Sequence, residues 1–257
     1  MLDPKKALEM LSFHANRVIE RLGYVPRRPN FGLSESEAAM VMRVQGLTLT
    51  GPLRIAGLMD AVRYVSKNGV PGSFVECGVW RGGSVVVAAL TLMELGDTSR
   101  DIYLFDTFEG MSEPDERDRL PDGRRAADLL KGVERRDDGS MWAMAPLDRV
   151  RQNVLATGYP AERIHFIQGK VEDTLPANAP DRIALLRLDT DWYESTRHEL
   201  THLYPRLSPG GVLIIDDYGH WQGSRLAVDE FFAARAYTPL LGRMDYTGRM
   251  MVKPGGD

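Results

Sequence analysis

One cysteine, Cys77, stands in 257 residues, which excludes an intrachain disulfide framework. The chain also lacks any run of 18 apolar residues and any apolar stretch behind the first methionine. Neither a membrane span nor a secretory leader is therefore expected, and the reading is a cytoplasmic protein with no membrane partner. Basic charge is not in excess: 32 Lys and Arg against 36 Asp and Glu leave a net charge of -4, which argues against a nucleic-acid partner. Internal repeats and low-complexity tracts are missing too. What is present is 43% hydrophobic residues, enough for a large core, and the expectation is one α/β domain with additions.

Helical spacing marks residues 3–21, with Leu8, Leu11, Val18 and Leu22 on one face and Asp3 placed to cap the start. Two further helices are expected at 37–44, behind Ser34 and Ser36, and from Gly51-Pro52 to Lys67, where Asn68-Gly69 stops the pattern. Residues 1–70 thus read as a helical extension, a candidate for subunit contact in a homo-oligomer or for lid duty. From Ser73 strands and helices alternate, which predicts a doubly wound, mostly parallel sheet in a domain spanning 71–257. Strands are expected at 74–76, 102–106, 164–168, 183–188 and 212–215, with helices at 83–94, 192–207 and 224–235, and an antiparallel hairpin closes the chain at 238–243 and 248–253. The charged segment 113–140 reads as a solvated insertion with little core, placed where it can act as a lid.

Two of these apolar strands end in paired acids: Leu185-Leu186-Arg187-Leu188-Asp189-Thr190-Asp191 and Val212-Leu213-Ile214-Ile215-Asp216-Asp217. Ligands of parallel sheets bind outside the carboxyl ends of the strands, so the four acids should converge on one crevice. Carboxylates that close repel one another, which calls for a divalent cation or a shared proton. All-oxygen donors without Cys or His suit Mg²⁺.

The first strand runs into Glu76-Cys77-Gly78-Val79-Trp80-Arg81-Gly82-Gly83-Ser84, a glycine loop opening a helix. A dinucleotide fingerprint needs glycine two residues after the first so that the backbone can approach a pyrophosphate, and here that place is Trp80. The loop therefore suits a nucleoside ligand without phosphate, of which S-adenosylmethionine is the commonest. Glu76 is placed to pair with a ligand cation, and Asp106, ending the second strand, to hold ribose hydroxyls.

Two motifs compete with this reading. Asp189-Thr190-Asp191 matches the Asp-x-Asp signature of metal-dependent glycosyltransferases, although one of its acids also suits a helix cap. His198-Glu199-Leu200-Thr201-His202 matches the zinc-peptidase pattern, but on a helix expected to cover the flank of the sheet, which makes both histidines solvated or packing residues. His220, close behind Asp217, is better placed for chemistry than either.

Taken together, the glycine loop, Phe105-Asp106-Thr107-Phe108-Glu109-Gly110, Leu188-Asp189-Thr190-Asp191, and the run from Arg206 through Ser208-Pro209-Gly210-Gly211 to Asp216-Asp217-Tyr218 resemble the macrocin O-methyltransferase family, from about residue 48 to 232. The resemblance implies a class I methyltransferase fold and an S-adenosylmethionine- and Mg²⁺-dependent transfer of methyl to a hydroxyl of a sugar in a small molecule or natural-product glycoside. It implies Asp191, Asp216 and Asp217 as metal ligands and Asp189 as general base and cofactor neighbour. Thr48 in a closing segment, Glu76, Gly78, Trp80, Gly82, Gly83, Ser84, Asp106, Phe108, Gly169 and Lys170 are the implied cofactor positions. The segments 111–144 and those before residue 48 depart from the antibiotic-sugar members, so the acceptor is left open, and a phenolic or catechol hydroxyl is the alternative within the class.

Overall fold

The computed structural model describes residues 32–137, 140–235 and 237–255, and Glu35–Asp257 form one compact unit. The helix expected at 3–21 lies outside the described residues. Along the chain come α1 (Glu35–Arg43), α2 (Pro52–Lys67), β1 (Ser73–Cys77), α3 (Gly83–Glu94), β2 (Ile102–Asp106), α4 (Ala126–Leu130), α5 (Leu147–Leu155), β3 (Ile164–Gln168), α6 (Val171–Thr174), β4 (Ile183–Leu188), α7 (Tyr193–Leu203), β5 (Leu207–Ile215), α8 (Gln222–Ala233), β6 (Gly242–Arg243) and β7 (Arg249–Val252).

The strands form one sheet in the order β3-β2-β1-β4-β5-β7-β6. The first five are parallel, while β7 runs antiparallel to β5 and to β6. The order reverses between β1 and β4, and that reversal opens a crevice at the strand carboxyl ends. Alternate residues feed two cores. Phe74, Leu104, Leu185 and Ile214 pack under α2, α3 and α5, whereas Val75, Phe105, Leu186 and Leu213 join Leu200, Leu203 and Val228 of α7 and α8 on the other face. A sheet covered on both faces explains why β4 is buried at every position and is apolar at all but one.

Within that run Arg187 faces the same side as Glu76, and the register pairs the two directly across β1 and β4. Strand β5 begins at Leu207 rather than Val212, because Pro209-Gly210-Gly211 does not break it. Gly210 takes a left-handed φ of 78°, its N–H donates to Lys253 O at 2.9 Å, and Lys253 N–H returns a bond to Gly211 O at 2.8 Å. Helix α7 stops at Leu203 and tightens into a 3₁₀ turn over Tyr204–Arg206, since Pro205 has no N–H to continue it.

Segment 113–140 carries more core than its charge suggests. Its charged side chains pair locally, as in Arg117 with Asp115, Arg125 with Asp128 and Arg135 with Glu113. Its few apolar residues, Ala126 and Leu130 among them, gather on Trp142, Trp192 and Trp221 in a third, small core.

Candidate active site

The end of β1 is shaped by close approach. Gly78 sits at φ 79°, and a Cβ there would lie 1.9 Å from Asp189 O, so no side chain fits between the ends of β1 and β4. Trp80 takes a left-handed φ of 46°, a conformation that costs a non-glycine residue about 1–2 kcal/mol. Asp106 holds it there: Oδ2 accepts from Val79 N at 2.7 Å and Trp80 N at 3.2 Å, and Oδ1 accepts from Phe108 N at 2.7 Å. Much of the hydrogen-bonding capacity expected for a ribose is thus already engaged in building the loop.

A cavity of about 330 Å³ opens above these strand ends, within the size range of small-ligand sites. Thr48, Glu76, Gly78, Trp80, Ser84, Asp106, Gly169, Lys170 and Asp189 line it, and so do Asp191, Asp216 and Asp217. Gly82, Gly83 and Phe108 do not. Gly82, at φ 81°, lets Val150 and Val154 of α5 approach, and Gly83 N–H donates to Leu47 O at 3.0 Å, an oxygen that a Cβ would meet at 2.5 Å. Gly83 therefore anchors the strap that carries Thr48, Leu49 and Thr50 to the cavity. Phe108 is buried in the core.

Arg187 ties the carboxylates together. Its guanidinium, all but inaccessible to solvent, donates to Glu76 Oε1 at 2.6 Å, Asp189 Oδ2 at 2.7 Å and Asp216 Oδ1 at 2.6 Å. Arg54 of α2 pairs with the other oxygen of Asp216 and with Asp245. Two cations do not balance the cluster: burial pushes Glu76 up to about 8 against the pull of Arg187, and Asp189 up to about 7. Asp191 is pushed up to about 8 by burial and by the charge of Asp189, and burial with Asp191, Asp189 and Asp216 alongside drives Asp217 well above the carboxylate range.

The acids that converge are Asp189, Asp216 and Asp217, each offering an oxygen within 4.8 Å of the others, the one such group of three among the described residues. Asp191, which the family resemblance groups with Asp216 and Asp217, falls outside that group of three: at a left-handed φ of 69° its Oδ1 accepts from Trp221 Nε1 at 2.8 Å, and its carboxyl lies beside that of Asp217. His220 and Tyr246 line the same cavity, with Tyr246 Oη and His220 Nδ1 3.1 Å apart. Burial, then the charge of Arg54, lowers the His220 pKa, which keeps the imidazole neutral at pH 7. His198 and His202 lie beside each other on α7, ring centroids 4.3 Å apart, and neither lines the cavity. Glu199 between them points inward and is wholly buried.

Arg187, Arg54 and Trp221 were not among the expected site residues. Arg187 alone left a signal, as a cation inside a strand otherwise made of Ile, Ala and Leu. Arg54 and Trp221 reach the site from α2 and from the turn into α8, which only the fold brings there.

The profile of the family described as macrocin-O-methyltransferase (TylF) matches residues 3–253. An 8-demethyl-8-(2,3-dimethoxy-alpha-L-rhamnosyl)-tetracenomycin-C 4'-O-methyltransferase from Streptomyces olivaceus is 37% identical over 201 residues, 78% of this chain and 73% of that protein. The demethyldecarbamoylnovobiocin O-methyltransferase of Streptomyces niveus is 35% identical over 213 residues, 80% of this chain and 78% of its own length. The solved structure of the O-methyltransferase NovP matches with a TM-score of 0.69 at 29% identity, covering 84% of this chain and 88% of NovP.

Proposed function

The chain belongs to the macrocin-O-methyltransferase family, and from that membership we propose that it transfers the methyl group of S-adenosylmethionine to a hydroxyl on the sugar of a small-molecule glycoside, with Mg²⁺ held beside the acceptor. The observation that carries this reading is the meeting, in one cavity, of the glycine loop of β1 with the three convergent carboxylates of β4 and β5. A sugar hydroxyl is preferred to a phenol because the Streptomyces olivaceus relative is named for a rhamnosyl substrate.

The donor set fits the metal. Asp189, Asp216 and Asp217 present hard oxygens without sulfur or imidazole, as Mg²⁺ requires. Six carboxylates, from Glu76, Asp189, Asp191, Asp216, Asp217 and Asp245, surround the two guanidinium groups of Arg187 and Arg54, which leaves four negative charges when all are ionised. A divalent cation neutralises two of these, and the sulfonium and ammonium of the cofactor, opposed by its single carboxylate, neutralise a third.

Bound Mg²⁺ supplies a Lewis acid that orients an acceptor hydroxyl and lowers its pKa. The remaining work falls to the chain. Glu76, at the mouth of the glycine loop, accepts from the cationic end of the cofactor, and the strap of Thr48, Leu49 and Thr50 excludes water. Asp191, outside the group of three and fixed by Trp221 Nε1, takes the acceptor's proton, since burial makes it a better base than a solvated aspartate. Geometry thus favours exchanging the roles that the resemblance implies for Asp189 and Asp191. Two further expectations, a homo-oligomer and a cytoplasmic setting, belong to this proposal, and analytical ultracentrifugation of the full chain tests the first.

A screen of glycosides and vicinal diols with labelled S-adenosylmethionine, with and without Mg²⁺, tests the reaction. Label should enter a glycoside in the presence of Mg²⁺ only. Full activity in excess EDTA, with no metal found by elemental analysis, sinks the scheme.

A further inference from the structure

Neither the metal site nor the reaction uses the motif on α7, yet one member of it is buried against the turn that carries Asp189 and Asp191. Glu199 is wholly buried, with Oε1 accepting from Thr190 Oγ1 at 2.8 Å and Oε2 buried without a hydrogen-bond partner among the described residues. The Cys77 thiol lies beside it, beneath the point where Asp189 N–H donates to Cys77 O at 2.8 Å. A buried carboxyl whose second oxygen meets no donor stronger than the Cys77 thiol is costly, and an apolar side chain at this position would fill the same space without that penalty.

The partner explains its use. Thr190 separates Asp189 from Asp191, and its hydroxyl points down into the protein while both carboxylates line the cavity above. The turn is also held from the main chain: Trp192 N–H donates to Thr190 O at 2.8 Å, and Ser195 Oγ donates to the same oxygen at 3.3 Å. These bonds flank Asp191 at its left-handed φ of 69°, a conformation uncommon for a residue other than glycine.

We propose that Glu199 is a positioning residue whose carboxyl, through Thr190 Oγ1, holds the Asp189–Asp191 turn so that Asp189 joins Asp216 and Asp217 while Asp191 is kept on Trp221 Nε1. The inference rests on reading Asp189 as a metal ligand. Outer partners of metal ligands commonly govern affinity or activity by 10–100-fold, and small displacements of reacting groups act on a similar scale. Burial, with Glu172 and Asp189 nearby, pushes the Glu199 carboxyl well above its ordinary range, so the neutral amide of glutamine is its conservative replacement.

The test is Mn²⁺ binding by the metal-free full-length protein, followed by electron paramagnetic resonance, with kcat, KM, S-adenosylhomocysteine affinity and Tm measured beside it. Thr190→Val and Glu199→Leu should each weaken Mn²⁺ binding by roughly 10-fold and lower kcat, while S-adenosylhomocysteine affinity stays within about 2-fold. The double variant should be no worse than either single one, and Glu199→Gln should stay within about 2-fold of wild type. Should Glu199→Leu fail to fold, the near-isosteric Thr190→Val decides alone. Wild-type Mn²⁺ affinity in variants that lose only Tm, or additive losses in the double variant, would overturn the inference and leave the metal reading standing. Absence of Mn²⁺ binding by the wild-type chain would overturn both.

Discussion

At the scale of the residue, the site turns on a charge balance that Arg187 holds together. Its three carboxylate partners are bonded at 2.6–2.7 Å in a buried setting, so replacing the guanidinium by an apolar chain strands several acids at once. Removing one partner of a buried ion pair typically costs about 3–5 kcal/mol, and Arg187→Met is expected to fall in that range by urea denaturation at pH 8, with part of the loss recovered at pH 6, where Glu76 and Asp189 take up protons. Asp191 and Asp189 separate by a different measurement. Asp191→Asn should keep Mn²⁺ binding and cut kcat by 10²-fold or more, whereas Asp189→Asn should weaken Mn²⁺ binding; the opposite pattern would restore the roles that the family resemblance implies.

At the scale of the element, the carboxyl ends of β1 and β4 must lie against each other for the cofactor loop and the carboxylates to share a cavity. Gly78 is the residue that allows it, since both its φ of 79° and the 1.9 Å approach of Asp189 O forbid a side chain. Gly78→Ala should therefore lower Tm and weaken S-adenosylhomocysteine and Mn²⁺ binding together, because it pushes apart two strand ends that serve different ligands. Loss of one affinity alone would show that the crossing is not the shared support. The elements themselves were largely legible. Strands β2, β3 and β4 and helix α3 have the bounds that periodicity predicts, because buried parallel strands must be continuous apolar runs and α3 follows a glycine turn. Strand β5 was read short because Pro-Gly-Gly carries a strong turn signal, and tertiary pairing with the chain at Lys253 overrides it.

At the scale of the whole molecule, the raised carboxylates link folding to pH. Glu76 at about 8, Asp189 at about 7 and Asp191 at about 8 all lie above the ordinary carboxylate range near 4, so between these limits the folded chain holds protons that the unfolded chain has released. Their contribution to stability is complete at low pH and is lost as pH rises through about 7–8. The metal-free protein should accordingly show a Tm that falls, by roughly 5 °C, between pH 6 and pH 8.5, and Mg²⁺ should raise Tm more at the higher pH, where its ligands are ionised. A Tm that is flat or rises over that interval would contradict the charge balance drawn here. The sequence by itself determined the sheet, the glycine loop, the family and the two pairs of acids, because main-chain periodicity and turn chemistry are local properties. Only the tertiary structure decided which three carboxylates converge, that Arg187 and Arg54 stand among them, and that Glu199 lies beneath Thr190. Those facts depend on side-chain direction across strands that the chain visits far apart, and on a left-handed turn at Asp191 that local sequence does not announce.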